Sequence, residues 1–285
     1  MYYYTTVKDD STVVAKLTEL AENKPTRGFP YYFRRIRNEG IKWNHKRVKR
    51  VYDSMKLNLR RKHKRRIPHR LRGALCSPAN ANQTWSMDFM HDTLITGRKV
   101  RVLNIIDDYN REALIVQAEY SHSGSSVVRA LEQTIHWRGK PNEIRCDNGP
   151  EFLSHTLVDY CNSNNILIKY IQPGKPTQNA YIERFNRSYR EDVLDAYLFE
   201  SLYQLMEIST FWMNEYNNLH PHQSLNNLSP IRFLEQNQQL WIVEFNPVRK
   251  MGCLHLLAST TYKAVKFAEA PFCLKIRTCI MVFRQ

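Results

Sequence analysis

From Thr84 onward, three strand-like runs at residues 85–90, 101–106 and 113–118 follow one another across short turns at Thr96-Gly97-Arg98 and Asp108-Tyr109-Asn110. The pattern then changes. Residues 125–137 place Val127, Val128, Leu131 and Ile135 near one face of a helix that Gly139-Lys140-Pro141 terminates. His136 has no nucleophile or ligand partner at suitable spacing and reads as a packing or surface residue. A strand at 143–146, a helix at 154–164, a strand at 166–171 and a helix starting at Thr177 or Gln178 follow. Three antiparallel strands and then strands alternating with helices require an α/β domain with a mixed sheet.

Two carboxylates stand out in that order. Ile144-Arg145-Cys146 reads as the end of a buried strand broken by Asp147-Asn148-Gly149-Pro150, which puts Asp147 at a strand tip. On the last helix, Ile182, Phe185, Tyr189 and Val193 share one face, while Glu183, Arg187 and Arg190 line another. That row, about 10 Å long, offers a carboxylate for a cation and guanidinium forks for phosphate, a combination suited to a phosphodiester backbone.

The charge is placed unevenly. Residues 1–73 carry 21 Lys and Arg against 6 Asp and Glu, which accounts for the whole net charge of +15. A basic arm joined to a neutral body points to nucleic acid rather than to a membrane surface. With 285 residues and 42% hydrophobic content, the chain can fill one medium core and a small accessory domain. The six cysteines show no CxxC spacing, so reduced thiols and no zinc site are expected. No apolar run is long enough to cross a bilayer, and no export segment is read.

Residues 1–58 read as a small helix-turn-helix-like domain. Asp10 or Ser11 caps a first helix with Val13, Val14, Leu17 and Leu20 inward. A second spans residues 31–38, with Tyr32 and Ile36 inward. Asn44 caps a third that buries Val48, Val51 and Tyr52 and exposes Lys46, Arg47, Lys49 and Arg50 toward DNA. Residues 59–82 form a basic linker whose Arg61, Lys62, Lys64 and Arg65 grip phosphates without reading bases. The body occupies residues 83–237, with Phe199, Tyr203, Phe211, Trp212 and Tyr216 expected in its core.

Asp147 and Glu183 are separated by 35 residues, and Asp88 lies upstream inside Trp85-Ser86-Met87-Asp88-Phe89-Met90. With Asn104-Ile105-Ile106-Asp107-Asp108-Tyr109-Asn110-Arg111-Glu112, Asp147-Asn148-Gly149-Pro150-Glu151-Phe152 and Gln172-Pro173-Gly174-Lys175-Pro176-Thr177-Gln178-Asn179-Ala180-Tyr181-Ile182-Glu183-Arg184-Phe185-Asn186-Arg187, these words resemble the DDE transposases and retroviral integrases. More narrowly, residues 25–236 resemble the second-frame product of insertion sequences of the insertion-sequence-three family. The resemblance implies an RNase H-like α/β catalytic core behind the small all-α domain. It also implies a transposase that cleaves and transfers DNA strands at the ends of a mobile element, working as a homo-oligomer in the cytoplasm at the nucleoid. Its partners would be double-stranded DNA, as terminal inverted repeats and target, and an upstream-frame product to which it is fused or assembled.

Asp88, Asp147 and Glu183 are the expected catalytic acids. If the first and fourth strands are neighbours, two of them open onto one edge and the helix brings Glu183 over them. Asp107 and Asp108, outside the family's catalytic set, take turn and capping duty. Three carboxylates without a sulfur or imidazole ligand favour Mg2+, with Mn2+ substituting and no organic cofactor. Two such ions about 4 Å apart suit in-line displacement at phosphorus, with Asp88 bridging both and Asp147 and Glu183 holding one each. Arg187 and Arg190 are expected to position phosphates, with Lys175 and Asn179 in support. His220 stands where the family usually has arginine. A catalytically silent DNA-binding remnant is the alternative, and a ribonuclease H-type nuclease a third reading. All three acids are present, and the basic arm and the Asp147–Glu183 spacing favour the transposase. Beyond about residue 238 the resemblance stops, and residues 238–285 read as a divergent, poorly ordered tail.

Overall fold

The computed structural model of this protein describes residues 9–59, 77–172 and 179–244, with side chains through residue 237. The chain divides into two compact units, Met1–Leu234 and Glu235–Gln285. Of the second, residues 235–244 are described, as the end of helix α8 (Pro230–Glu244), which passes the boundary expected at 238. The divergent tail beyond 244, Arg61, Lys62, Lys64 and Arg65 of the linker, and Lys175 lie outside the described residues.

Five strands form one sheet in the order β3-β2-β1-β4-β5. They are β1 (Thr84–Thr93), β2 (Lys99–Asp107), β3 (Ala113–Glu119), β4 (Glu143–Cys146) and β5 (Leu167–Tyr170). The first three pair antiparallel. β4 lies parallel to β1, and β5 parallel to β4. This is the expected RNase H-like arrangement. Trp85, Met87, Leu103, Ile105, Ile144 and Cys146 face helices α4 (Gly124–Arg138) and α5 (His155–Ser163). Met90, Val102, Ile106 and Ala118 face α6 (Ala180–Tyr189) and α7 (Leu202–Leu219). A sheet covered on both sides explains strands that are apolar at consecutive positions.

The helix starts of α4 and α5 meet closely. A Cβ on Gly124 would lie 2.1 Å from Ser154 Oγ and 2.7 Å from Ser154 Cβ. Ser154 cannot easily yield, because its hydroxyl donates to the Glu151 carbonyl at 2.8 Å and accepts from the Leu157 amide at 3.4 Å. Gly124→Ala is expected to cost about 1–3 kcal/mol by overpacking. A urea unfolding midpoint equal to the parent's would contradict this contact.

Helix α6 buries Ile182, Phe185 and Tyr189, the face read from the sequence. It continues into a five-residue π turn, Arg190–Leu194, closed by the Asp195 amide on the Arg190 carbonyl at 2.8 Å. Nothing in the residue pattern announced this turn. Of the expected aromatic anchors, Phe199, Trp212 and Tyr216 are buried, but Tyr203 and Phe211 are 77% and 72% exposed. The reason is helical phase: Leu205, Ser209, Trp212 and Tyr216 form the inward stripe of α7, and Tyr203 and Phe211 fall off it.

The amino-terminal module consists of α1 (Ser11–Asn23), α2 (Phe29–Asn38) and α3 (His45–Ser54) around Leu17, Tyr32, Ile36, Val48 and Tyr52. Asn44 caps α3, accepting the Lys46 amide at 2.8 Å. Asp10, expected as a cap for α1, makes no capping bond. Its carboxylate instead pairs with Arg47 Nε at 2.8 Å and with Arg50. Lys49 pairs with Asp53. Three of the four cations assigned to DNA on α3 therefore have acids within the module, and Lys46 stands exposed.

This module is docked on the core by ions. Asp192, on the π turn and buried, accepts Arg27 Nη2 at 3.0 Å and Trp212 Nε1 at 3.1 Å, with Lys24 Nζ at 3.7 Å. Arg35 Nη2 donates to Glu215 Oε1 at 2.6 Å. The His220 ring lies 5.2 Å from that of Tyr31 and 5.0 Å from that of Tyr216. Burial and the neighbouring His222, Arg27, Lys24 and Arg35 hold His220 well below the usual histidine range, so it is neutral. At this position a packing ring replaces the family's cation.

Candidate active site

The pairing of β1 with β4 sets the position of two of the acids. Its partners are Thr84 with Glu143, Trp85 with Ile144 and Ser86 with Arg145. Carried two residues further, the same offset puts Asp147 beside Asp88, on strands about 4.8 Å apart. Side chains alternate across a strand. Because Met87 faces α4 and α5, Asp88 turns to the face that α6 covers, and Asp147, just past the end of β4, lies near enough for its charge to act on Asp88.

A hydrogen bond fixes the third acid over them. Asn186 Nδ2 donates to Asp88 Oδ2 at 2.7 Å. Glu183 is three residues earlier on α6 and so shares that face, exposed. Asn186 is itself held from below, since Asn104 Nδ2 donates to Asn186 Oδ1 at 2.7 Å. Asn104 pairs with Asp88 across β1 and β2 and is fully buried. The other oxygen of Asp88 accepts the Phe89 amide at 2.9 Å.

These acids share one field. Burial pushes the Asp88 carboxyl up to about 6, the charges of Asp147 and Glu183 push it the same way, and the bonds from Phe89 and Asn186 oppose them. Like charges held this near disfavour the ionised form of Asp88, and a cation would relieve it. Asp147 is exposed, with Oδ1 accepting the Gly149 amide at 3.1 Å. Among the described residues no group of three His, Cys, Asp or Glu side chains stands close enough to hold a metal ion. The donor set fits a hard cation in chemistry, being all carboxylate oxygen. The charges of Asp147 and Glu183 reach Asp88 without the three acids forming a closed cage.

Asp107 and Asp108 are fully buried at the opposite end of β2. Asp107 accepts the amides of Asn82 at 2.8 Å and Tyr109 at 2.9 Å, and Asp108 pairs with Arg145 at 3.0 Å. Arg187 is exposed. Arg190 is half-exposed, with Nη2 donating to the His91 carbonyl at 3.0 Å. Asn179 is buried, 4% exposed, and its Oδ1 has no partner. The asparagines that hold Asp88 were missed by the sequence reading. The signal was present: Asn104 interrupts the apolar run Val102-Leu103-Asn104-Ile105-Ile106, and Asn186 follows Glu183 by almost one helical turn.

Two family models, both described as integrase core domain, match residues 78–176 and 164–230. The chain is 36% identical over 230 residues to an uncharacterized 31.7 kDa protein of insertion element IS407 from Burkholderia multivorans, covering 81% of this chain and 83% of that one. It is 36% identical over 236 residues to an uncharacterized 39.2 kDa protein of insertion element IS476 from Xanthomonas euvesicatoria, covering 82% and 68%. Among solved structures it is similar to the HTLV-2 integrase catalytic core domain in complex with magnesium, at 20% identity and a TM-score of 0.41, covering 53% of this chain and 95% of that one.

Proposed function

This chain belongs to the insertion-element transposases that carry an integrase core domain, and on that premise we propose that Asp88, Asp147 and Glu183 form its catalytic site for DNA strand cleavage and strand transfer. As a transposase it is a polynucleotidyl transferase of DNA recombination. The observation that carries the assignment is the bond from Asn186 to Asp88. It lays the Glu183 helix over β1, the strand that β4 joins, and the charges of Asp147 and Glu183 both act on Asp88.

The chain's own residues orient and bind. Asp88, Asp147 and Glu183 present hard oxygen donors that would hold Mg2+, or Mn2+ in its place. Two such ions, when bound, supply charge stabilisation at the attacking and leaving oxygens of an in-line phosphoryl displacement. Asp88, on which the charges of both other acids act, would hold a cation together with them. With water as nucleophile the site cuts one strand at the element's end, and with the freed 3′-hydroxyl it joins that end to another strand. Arg187, on α6, and Arg190, at the start of the π turn, follow Glu183 and position the phosphodiester backbone. Lys46, on the exposed side of α3, adds a sequence-independent contact, with Arg47, Lys49 and Arg50 shared between DNA and their acids. The protein acts on terminal inverted repeats as a homo-oligomer, alone or joined to an upstream-frame product, with residues 1–58 serving to bind DNA. A strand-transfer assay on the element's own end with Mg2+ tests this; equal product from the parent chain and its Asp88→Asn form would remove the assignment.

Arg190→Ala is expected to weaken end binding across sequences and to lower the slope of log affinity against log salt by about one. Its guanidinium has one bond to His91 and a distant Asp195, which leaves N–H groups for phosphate. A slope equal to the parent's in a salt titration of binding would count against the contact.

A further inference from the structure

We propose that Asn104 and Asn186 form a two-amide relay that aims the Asp88 carboxylate, and that Asn104 is a positioning residue for the site although it lies outside it. An amide has a donor end and an acceptor end, and hydrogen-bond partners decide which way it points. Asn104 Nδ2 donates to Asn186 Oδ1 at 2.7 Å, so the donor end of Asn186 is the one turned to Asp88 Oδ2, also at 2.7 Å. The relay has a direction fixed from the inside out. Asn104 is 0% exposed and Asn186 8% exposed, so solvent does not compete for either bond.

A fully buried asparagine in the middle strand pair of the sheet is costly unless bonded. Asn104 Oδ1 has no partner, so its contribution is the single bond to Asn186. With Asp88 Oδ1 on the Phe89 amide and Oδ2 on Asn186, both oxygens are oriented while each keeps a lone pair free. The relay therefore holds the carboxylate in one rotamer without closing it to a cation. Its loss leaves Asp88 in place but free to turn, which costs affinity for a bound ion rather than the fold.

This inference rests on the reading of Asp88 as a metal-holding acid, and the experiment separates the two. Mn2+ binding is followed by electron paramagnetic resonance in the full chain and in Asn104→Leu, Asn186→Leu, the double variant and Asp88→Asn, with thermal melts for each. The single variants are expected to raise the Mn2+ concentration at half-saturation about tenfold, and the double variant no further than the worse single. Should Asn104→Leu fail to fold, Asn104→Thr, a strand former whose hydroxyl is too short to reach Asn186, takes its place. An unchanged half-saturation in a folded Asn104 variant, or losses that multiply in the double variant, would overturn the relay alone if Asp88→Asn has lost Mn2+. Parent-like Mn2+ binding in Asp88→Asn would overturn the metal-holding reading, and the relay with it.

Discussion

Asp88→Asn is expected to lower strand transfer by about a thousandfold or more while leaving the protein at least as stable as its parent at pH 7. The first half follows from charge: an amide cannot replace an anionic ligand, and a metal's several kcal/mol of transition-state stabilisation at 1.36 kcal/mol per decade gives that loss. The second follows from linkage. The folded carboxyl is held at about 6 against an ordinary 3.8, so the folded chain binds more protons than the unfolded one between those values. Stability from this group is present below about pH 4 and is lost as pH rises to about 6. Asparagine has no such loss. Above pH 6 the variant should gain on the order of 2 kcal/mol, about 5 °C in Tm for a domain of this size, and at pH 4 that gain should vanish, leaving the variant no more stable than its parent because its amide nitrogen cannot accept from Phe89 or Asn186. Melting curves at both pH values in metal-free buffer check this; a variant that melts below its parent at pH 7 would contradict it.

Asp192→Ala is expected to have the largest effect on stability. Its side chain is 1% exposed and accepts from Arg27 and Trp212, with Lys24 beside it. Removing it leaves Arg27 Nη2 and the Trp212 indole N–H without that acceptor, while Arg27 keeps Glu191 and Lys24 keeps Glu215, each at 3.4 Å. Breaking a buried pair in this way costs about 3–5 kcal/mol, which corresponds to roughly 10 °C. The amino-terminal module should also loosen, so proteolysis within residues 11–54 should become faster. Asp192→Asn should recover part of the loss, because it still accepts from Trp212. A Tm within about 2 °C of the parent's would show that the clasp contributes little.

Much of this was legible in the chain. The succession of strands and helices and the placing of Asp147 at a strand tip followed from local patterns, because strands between short turns and a broken apolar run are written residue by residue, whereas Asp88 was singled out by the family resemblance. What was not legible depends on partners distant in sequence. Asp10 looks like a helix cap and becomes a counter-ion because Arg47 and Arg50 meet it from α3. Arg27 and Arg35 belong to the basic excess of residues 1–73 and face Asp192 and Glu215, more than 160 positions away. Tyr203 and Phe211 look like core by composition and lie outside it by phase. The asparagines behind Asp88 are the same case, since a polar residue in an apolar strand declares that a partner exists but not which one.

The five residues 190–194 have a consequence of length. A π turn holds one residue more than the α-helical turn it replaces, and a single residue is about 100° of rotation. Deleting Arg190 or Glu191 would let the helix close regularly and swing Asp192 away from Arg27 and Trp212, without altering any of these three residues. Substitution at the partly exposed Glu191 is thus tolerable where its deletion is not, because only the deletion undocks the amino-terminal module.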